Sequence, residues 1–204
     1  MPPHDAASPV CLVLIGPAGA GKTTLGAAVA NAAGRTFVDL DENGDAYYGE
    51  VGWSLDRLIA SIEEVGRVQA EALWEPARAH AVVRALNDRP DAVLALGAGH
   101  TSYTSSEHRT TVATALAGAH VVYLEPFHDR DRSLDELRRR CEATKGTTWV
   151  SDGHDFLARW LDDPWTRGLA ADVVRTGEGD LDTQVRDVLA MTAAAGPPSS
   201  STGV

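Results

Sequence analysis

The sequence predicts a three-layer α/β/α fold built on a five-stranded parallel sheet. Three observations carry that expectation. Strand-like and helix-like segments alternate along the chain, the first strand is an unbroken apolar run, and a glycine-rich loop joins that run to a helix. Alternation of this kind puts helices on both faces of a parallel sheet, and a strand covered on both faces is apolar throughout. Length and composition agree with one domain holding a sizeable core. The 204 residues are 44% hydrophobic and 23% charged, which argues against disorder, collagen and coiled coil.

The elements follow in order. Val10–Ile15 (VCLVLI) is the first strand, Lys22–Ala33 a helix carrying Leu25 and Val29, and Thr36–Leu40 the second strand. Leu55, Leu58, Ile59 and Ile62 recur at i, i+3, i+4 and i+7, a helical stripe that Ser54 is placed to cap. Val65, Val68, Ala72, Ala79, Val82, Val83 and Leu86 continue the spacing over a further helix, and Pro76 is expected to kink or interrupt it. Asp91–Leu96 and Ala119–Leu124 read as the third and fourth strands. Between them, Thr104, Ser105 or Ser106 can cap a helix running through Leu116. Ala171–Arg175 is a short fifth strand, and Leu181, Val185, Val188 and Leu189 mark a closing helix. The domain is expected over residues 10–192. Met1–Pro9 and Ala193–Val204, rich in Pro, Ser, Ala and Gly, are expected to be disordered tails.

Charge narrows the partners. Against 29 acidic residues stand 18 basic ones, a net charge of −11. Nucleic acids and anionic membrane surfaces are therefore not expected, because binding them rests on Lys and Arg neutralising phosphates. Cys11 and Cys141 are too few for a disulfide framework and fit a reducing compartment. Residues 1–9 hold no Lys or Arg and the apolar run stops at Gly16, so neither a signal core nor a membrane span is expected and a cytoplasmic location is. The seven histidines lack ligand spacing, so a structural zinc site is not expected. Lys22 and Lys145 are the two lysines of the chain.

Lys22 belongs to the strongest motif. Gly16-Pro-Ala18-Gly19-Ala20-Gly21-Lys22-Thr23-Thr24 satisfies G-x-x-x-x-G-K-S/T and lies directly after a buried strand and before a helix. Such a loop turns successive backbone N–H groups toward a phosphate, and the helix N-terminus adds its positive dipole end. Lys22 would reach the β- and γ-phosphates, and the Thr23 hydroxyl would ligate Mg²⁺. A second acid should complete the site. The strand Asp91–Leu96 ends without one, whereas Asp39-Leu40-Asp41-Glu42 follows the second strand. Spacing of two puts Asp39 and Asp41 on one face at the sheet edge where α/β proteins bind ligands; the alternative is a solvated acidic turn.

Taken together and in order, these segments resemble the shikimate kinases, within the nucleoside-monophosphate and small-molecule kinases of the P-loop NTPases. The likeness spans about residues 10–190. It includes the loop GPAGAGKTT, Phe37-Val-Asp39-Leu-Asp41 for F-x-D-x-D, and Gly52-Trp-Ser54-Leu-Asp-Arg-Leu-Ile59 for G-x-S-I-x-E-I-F. Leu96-Gly97-Ala98-Gly99 stands where the family has a glycine triplet, Val121–Leu124 fits the next strand, and Ala170-Ala-Asp172-Val-Val174 resembles A-D-x-x-V. The resemblance implies phosphoryl transfer from ATP to a hydroxyl, with Asp39 near Mg²⁺ and Asp41 holding the acceptor hydroxyl. It also implies substrate-binding helices over about residues 44–88 and a lid over about 141–155. Six of the 18 bases fall between Arg130 and Lys145, a local excess suited to a transferring phosphate. Arg139 is the expected catalytic member, with Arg140 and Lys145 on the nucleotide. For Arg130 and Arg132 the alternative is an exposed helix paired with Asp129, Asp131, Asp135 and Glu136.

The substrate side departs from the family pattern. In G-E-x-x-F-R-x-x-E the arginine position holds Ala72 or Glu71, depending on register. In R-x-P-x-Y it holds Asp162, and the lid lacks R-P-L-L. Three extra residues stand between Ile59 and Gly66. Since a bidentate Arg–carboxylate pair is not replaced conservatively, a different acceptor is expected. It would be a hydroxyl compound without a carboxylate, carrying an amine or guanidine that Glu71, Glu75 or Asp162 could pair with. The alternative is that Arg67, Arg78 or Arg159 has taken over the lost role. Gly97, Gly99, His100 and Tyr103 are expected near the acceptor, and His108 at the entry of the following helix. Trp149, Trp160 and Trp165 are read as packing residues around the lid. Two further readings stay open within the motif set. One is a true shikimate kinase with rearranged carboxylate contacts. The other is a nucleotide-binding switch or inactive scaffold, against which stand the basic segment, the acids after strand two and the absence of N-K-x-D. A monomer is expected.

Overall fold

The computed structural model describes residues 10–194; the expected N-terminal tail, and the C-terminal one beyond Ala194, lie outside that range, whereas Ala193 and Ala194, expected in the tail, end the last helix. The strands are β1 (Leu12–Ile15), β2 (Phe37–Asp39), β3 (Val93–Ala95), β4 (His120–Glu125), β5 (Val150–Ser151), β6 (His154–Asp155) and β7 (Asp172–Arg175). Five of them form a parallel sheet in the order β2-β3-β1-β4-β7, and β5 and β6 form an antiparallel hairpin. The helices are α1 (Lys22–Ala33), α2 (Leu40–Asn43), α3 (Asp45–Gly49), α4 (Leu55–Val65), α5 (Arg67–Asp88), α6 (Ser106–Leu116), α7 (Arg130–Lys145), α8 (Phe156–Asp162), α9 (Pro164–Gly168) and α10 (Leu181–Ala194). Among the described residues, no helix is long and apolar enough to cross a membrane.

The three layers follow from the first strand. Leu12 and Leu14 join one buried cluster with Leu25 and Val29 of α1, Leu137 of α7, Phe156 of α8 and Val188 of α10. Val13 and Ile15 join the other with Tyr48 of α3, Val82 of α5 and Val112 and Leu116 of α6. Successive side chains of a strand point to opposite faces, so a strand between two helical layers has no position left for a polar residue. The first cluster joins α1, near the start of the described chain, to α10 at its end, which ties both ends to the central strand.

Three elements differ from expectation. Pro76 does not interrupt its helix: α5 runs through it from Arg67 to Asp88. Proline removes one i→i−4 bond, and here the burial of Ala77, Ala79, Ala81, Val82 and Ala85 along the same helix outweighs that loss. The stripe of α4 does not make a full core contact. Leu58 is buried, but Leu55 and Ile59 stay 40% and 56% exposed, so α4 leans on α5 along a narrow row. Within the expected lid, Cys141–Lys145 form the last turn of α7, which Gly146 closes. The β5–β6 hairpin supplies the rest. Ser54 caps α4 as expected, accepting the Arg57 N–H at 3.1 Å.

Candidate active site

The loop between β1 and α1 takes backbone angles that side chains disfavour, with φ of 134°, 78° and 97° at Gly16, Gly19 and Gly21. It curls around Lys22, whose ammonium donates to the Gly16 and Pro17 carbonyls, each at 2.8 Å. Burial pulls the Lys22 pKa down to about 8; Asp41 and Asp39 oppose that fall and Lys145 adds to it. At the first turn of α1 the Thr23 hydroxyl donates to Asp39 Oδ2 at 2.6 Å. The other Asp39 oxygen accepts the Asp41 N–H at 3.0 Å, capping α2. A hydroxyl and a carboxylate fixed side by side are the hard oxygen donors that Mg²⁺ takes, so the residues present fit that ion.

A cavity of about 550 Å³ opens above the loop. Ala18, Gly19, Gly21, Lys22, Thr23 and Thr24 form its floor, with Asp39 and Asp41 on one side and Arg140 and Lys145 on another. Gly16 and Ala20 stand behind that wall, their carbonyls accepting from Lys22 and from the Thr176 hydroxyl. Thr176, Gly179 and Gln184 complete the far end and were not singled out from the sequence. A signal existed for Thr176, which directly follows the last strand on the edge where the other site residues gather.

Of the three consecutive arginines on α7, Arg138 pairs with Asp155 and Arg140 turns inward. Arg140 donates to Thr176 Oγ1 at 3.0 Å and to the Gly19 carbonyl at 3.3 Å, tying α7 and the end of β7 to the loop. Arg139 is 68% exposed and makes a two-pronged contact with Glu136 at 2.7 and 2.8 Å, outside the cavity wall. Neighbouring helix positions lie about 100° apart, so a single face cannot present both. The Arg139 hydrogen bond is the largest influence on Glu136, and with Arg140 it holds that carboxyl near 2 against the opposing effect of burial.

The acceptor side gathers around Asp41. A Cβ on Gly97 would lie 1.8 Å from Asp41 Oδ1, so the glycine admits the carboxylate. His100 sits in a short 3₁₀ turn, Ala98–Thr101, and is 1% exposed. Its Nδ1 is 3.6 Å from Asp41 Oδ1, and its Nε2 is 2.7 Å from the Tyr48 hydroxyl. Tyr103 donates to the His100 carbonyl at 2.9 Å from a fully buried position. Burial pulls the His100 pKa down to about 4, so the ring is neutral at pH 7. Tyr48 had no signal in the sequence beyond its aromatic character; α3 brings it here, edge-on to Trp74 at 5.1 Å.

The acidic residues expected to meet a cationic acceptor have partners within the protein. Glu71 accepts from buried Arg78 at 2.9 Å, with Arg67 Nε 3.7 Å away. Glu75 accepts the Thr104 N–H, the Thr104 hydroxyl and the Ser105 N–H at 2.6, 2.8 and 3.1 Å, with His108 at 3.3 Å. Burial raises its pKa, but those hydrogen bonds together leave it below the usual carboxylate value. Glu75 therefore holds the entry to α6, a task expected of a local Ser or Thr cap. Asp162 forms a two-pronged pair with Arg130 at 2.6 and 2.9 Å, in a surface recess apart from the Asp41 cavity. Arg78 is the finding on this side. Its guanidinium lies against Gly99, where a Cβ would come 2.3 Å from Nη1, and its Nε is buried without a partner. Trp149 and Trp160 pack edge to face at 5.1 Å, and Trp165 against Tyr103 at 6.1 Å.

Comparison with known proteins places this geometry. The family model for shikimate kinase matches residues 18–155. A shikimate kinase from Acinetobacter baumannii, solved in complex with shikimate, is 22% identical, with a TM-score of 0.64 over 93% of this chain and 96% of its own. A shikimate kinase from Bacteroides thetaiotaomicron is 20% identical, with a TM-score of 0.59 over 90% and 98%. An unliganded sugar kinase from Janibacter sp. HTCC2649 shares the fold at 13% identity, with a TM-score of 0.54 over 92% and 96%. No curated protein matches the chain by sequence.

Proposed function

The chain belongs to the shikimate kinase family, and on that premise we propose that it transfers the γ-phosphoryl group of ATP to a hydroxyl of a small molecule. The position of Asp41 carries this reading. It lines the cavity that holds Lys22 and Thr23 while its carboxylate lies against Gly97, so it borders both the phosphates and the acceptor. In this role the loop N–H groups and Lys22 hold the phosphate oxygens, and Asp41 orients the acceptor hydroxyl and takes its proton. The new O–P bond forms as the bond from the γ-phosphorus to the β-bridging oxygen breaks. Mg²⁺ held by Thr23 and Asp39 would neutralise charge on the phosphates. Arg140 and Lys145 supply further positive charge at the cavity wall, and with Arg139 turned outward Arg140 is the better placed of the pair.

For the acceptor, a cation loses its support, because Glu71, Glu75 and Asp162 already have donors within the protein. A second reading makes the acceptor a hydroxylated acid, shikimate included, with the arginine moved to a new place in the sequence; Arg78, beside Gly99 with its Nε unpartnered, would take that carboxylate only by giving up part of its pairing with Glu71. A coupled ADP-release assay with shikimate, other hydroxylated acids, neutral polyols and amino alcohols tests both. Lys22-dependent turnover of a hydroxylated acid or polyol is expected. Turnover confined to amino alcohols would restore the cationic acceptor, and no turnover above the water control with any compound would sink the kinase reading.

A further inference from the structure

Asp41 is about half exposed at the cavity edge, and no side chain within hydrogen-bond distance fixes its carboxylate. Directly behind it stands a buried polar atom without a partner, Nδ1 of His100. The two are 3.6 Å apart, just beyond hydrogen-bond range. On the other side of the ring the Tyr48 hydroxyl sits 2.7 Å from Nε2. The backbone that carries the ring is tied down as well. The His100 main-chain N–H donates to the Gly97 carbonyl at 2.9 Å, the main-chain carbonyl accepts from Tyr103 at 2.9 Å, and the ring lies nearly parallel to Tyr48 at 6.1 Å. A ring held this firmly can orient a neighbour.

We propose that His100 is a positioning residue for Asp41: the Tyr48 hydroxyl donates to Nε2, which keeps the proton on Nδ1, and that N–H draws the Asp41 carboxylate into the orientation that meets the acceptor hydroxyl. The bond made by one ring nitrogen decides which of the two carries the proton. Burial makes the neutral ring the relevant form at pH 7, so the two nitrogens differ, one donor and one acceptor. The opposite tautomer would aim a lone pair at a carboxylate and leave Tyr48 donating to nothing in the ring. A small closure of 3.6 Å to an ordinary hydrogen bond suffices, of the kind catalytic contacts make when substrate arrives. The assignment rests on the kinase reading for its purpose, but not for its geometry.

Its test uses the full chain labelled with ¹⁵N-histidine, in long-range ¹H–¹⁵N spectra at pH 7, with the His100 signals assigned by their loss in His100→Gln. The proton is expected on Nδ1, with Nε2 as acceptor, and Asp41→Asn should shift the Nδ1 signal. A proton on Nε2, or an Nδ1 signal indifferent to Asp41→Asn, overturns the proposal. A kinetic arm uses MgATP hydrolysis, with water as the acceptor Asp41 orients. His100→Asn keeps a donor near the Nδ1 position and His100→Gln keeps one near Nε2, so Asn should retain about tenfold more kcat than Gln, with KM for ATP alike in both. Equal losses in the two variants would mark His100 as structural only. If the acceptor screen fails while the spectra show the Nδ1–H tautomer, the kinase reading falls and the Asp41–His100 contact stands.

Discussion

At the scale of single residues, the site combines groups that burial has pushed away from their ordinary behaviour. His100 shows what that means for stability. Its folded pKa of about 4 lies below the value of 6.5 for a free imidazole. Between those values the unfolded chain binds a proton that the folded one refuses, so stability must fall as pH drops through that window. The full difference is about 3 kcal/mol, with about 2 kcal/mol of it lost by pH 5. His100→Asn cannot titrate there. Denaturant melts of both proteins at pH 7.5 and pH 5 should therefore show the variant's deficit shrinking at the lower pH, because Asn occupies the same buried site without titrating. A deficit that stays constant over the two pH values would mean the ring is already solvated or charged in the folded state. Lys22 follows the same rule at the other end of the scale. Burial disfavours its charge, yet two loop carbonyls hold the ammonium, and phosphate oxygens would return what water gave.

Among elements, α5 does the most to separate structure from substrate recognition. Its buried acids face inward, and each is matched. Removing Glu75 would leave the Thr104 and Ser105 N–H groups without their acceptor at the entry of α6. Glu75→Ala is expected to cost about 2–4 kcal/mol in denaturant unfolding, because buried donors left unmade lose their full desolvation. Asp162→Ala breaks a half-exposed pair with Arg130 and should cost under about 1 kcal/mol. Equal effects would refute the structural role of Glu75. These partners show where sequence reading stops. The bounds of α1, the apolar β1 and the phosphate loop were legible because each depends on neighbours within a few residues. The roles of Glu75 and Asp162 were not, since their partners lie about thirty residues away in sequence and meet only after the sheet brings helices together. The same limit applies to Pro76, where local preference is overruled by packing that no window of sequence contains, and to Tyr48, whose partner His100 is 52 residues distant.

For the whole molecule, the sheet order places β1 at the centre, with β3 and β2 on one side and β4 and β7 on the other. The loop after β1 is thus reached from both halves: Asp39 and Asp41 from the end of β2, Arg140 from α7 and Thr176 from the end of β7. In a chain of net charge −11 this concentrates Lys22, Arg140 and Lys145 at one opening, which gives a polyanion a favourable local field within a repulsive whole. A nucleotide bound there would touch segments from both ends of the described chain and so stabilise the fold by mass action. At a hundred times its dissociation constant, MgADP should add about 2.7 kcal/mol, or about 5–10 °C in Tm for a domain of this size. Lys22→Met tests the assignment because it removes the phosphate contact together with the burden of a buried charge. The variant without ligand should melt at or above the wild-type temperature, while its MgADP shift at the same concentration should largely vanish. Differential scanning calorimetry separates the two effects in one pair of scans. An undiminished shift would show that nucleotide does not engage Lys22, and a collapsed ligand-free melt would show that the two loop carbonyls need the ammonium to hold the loop itself.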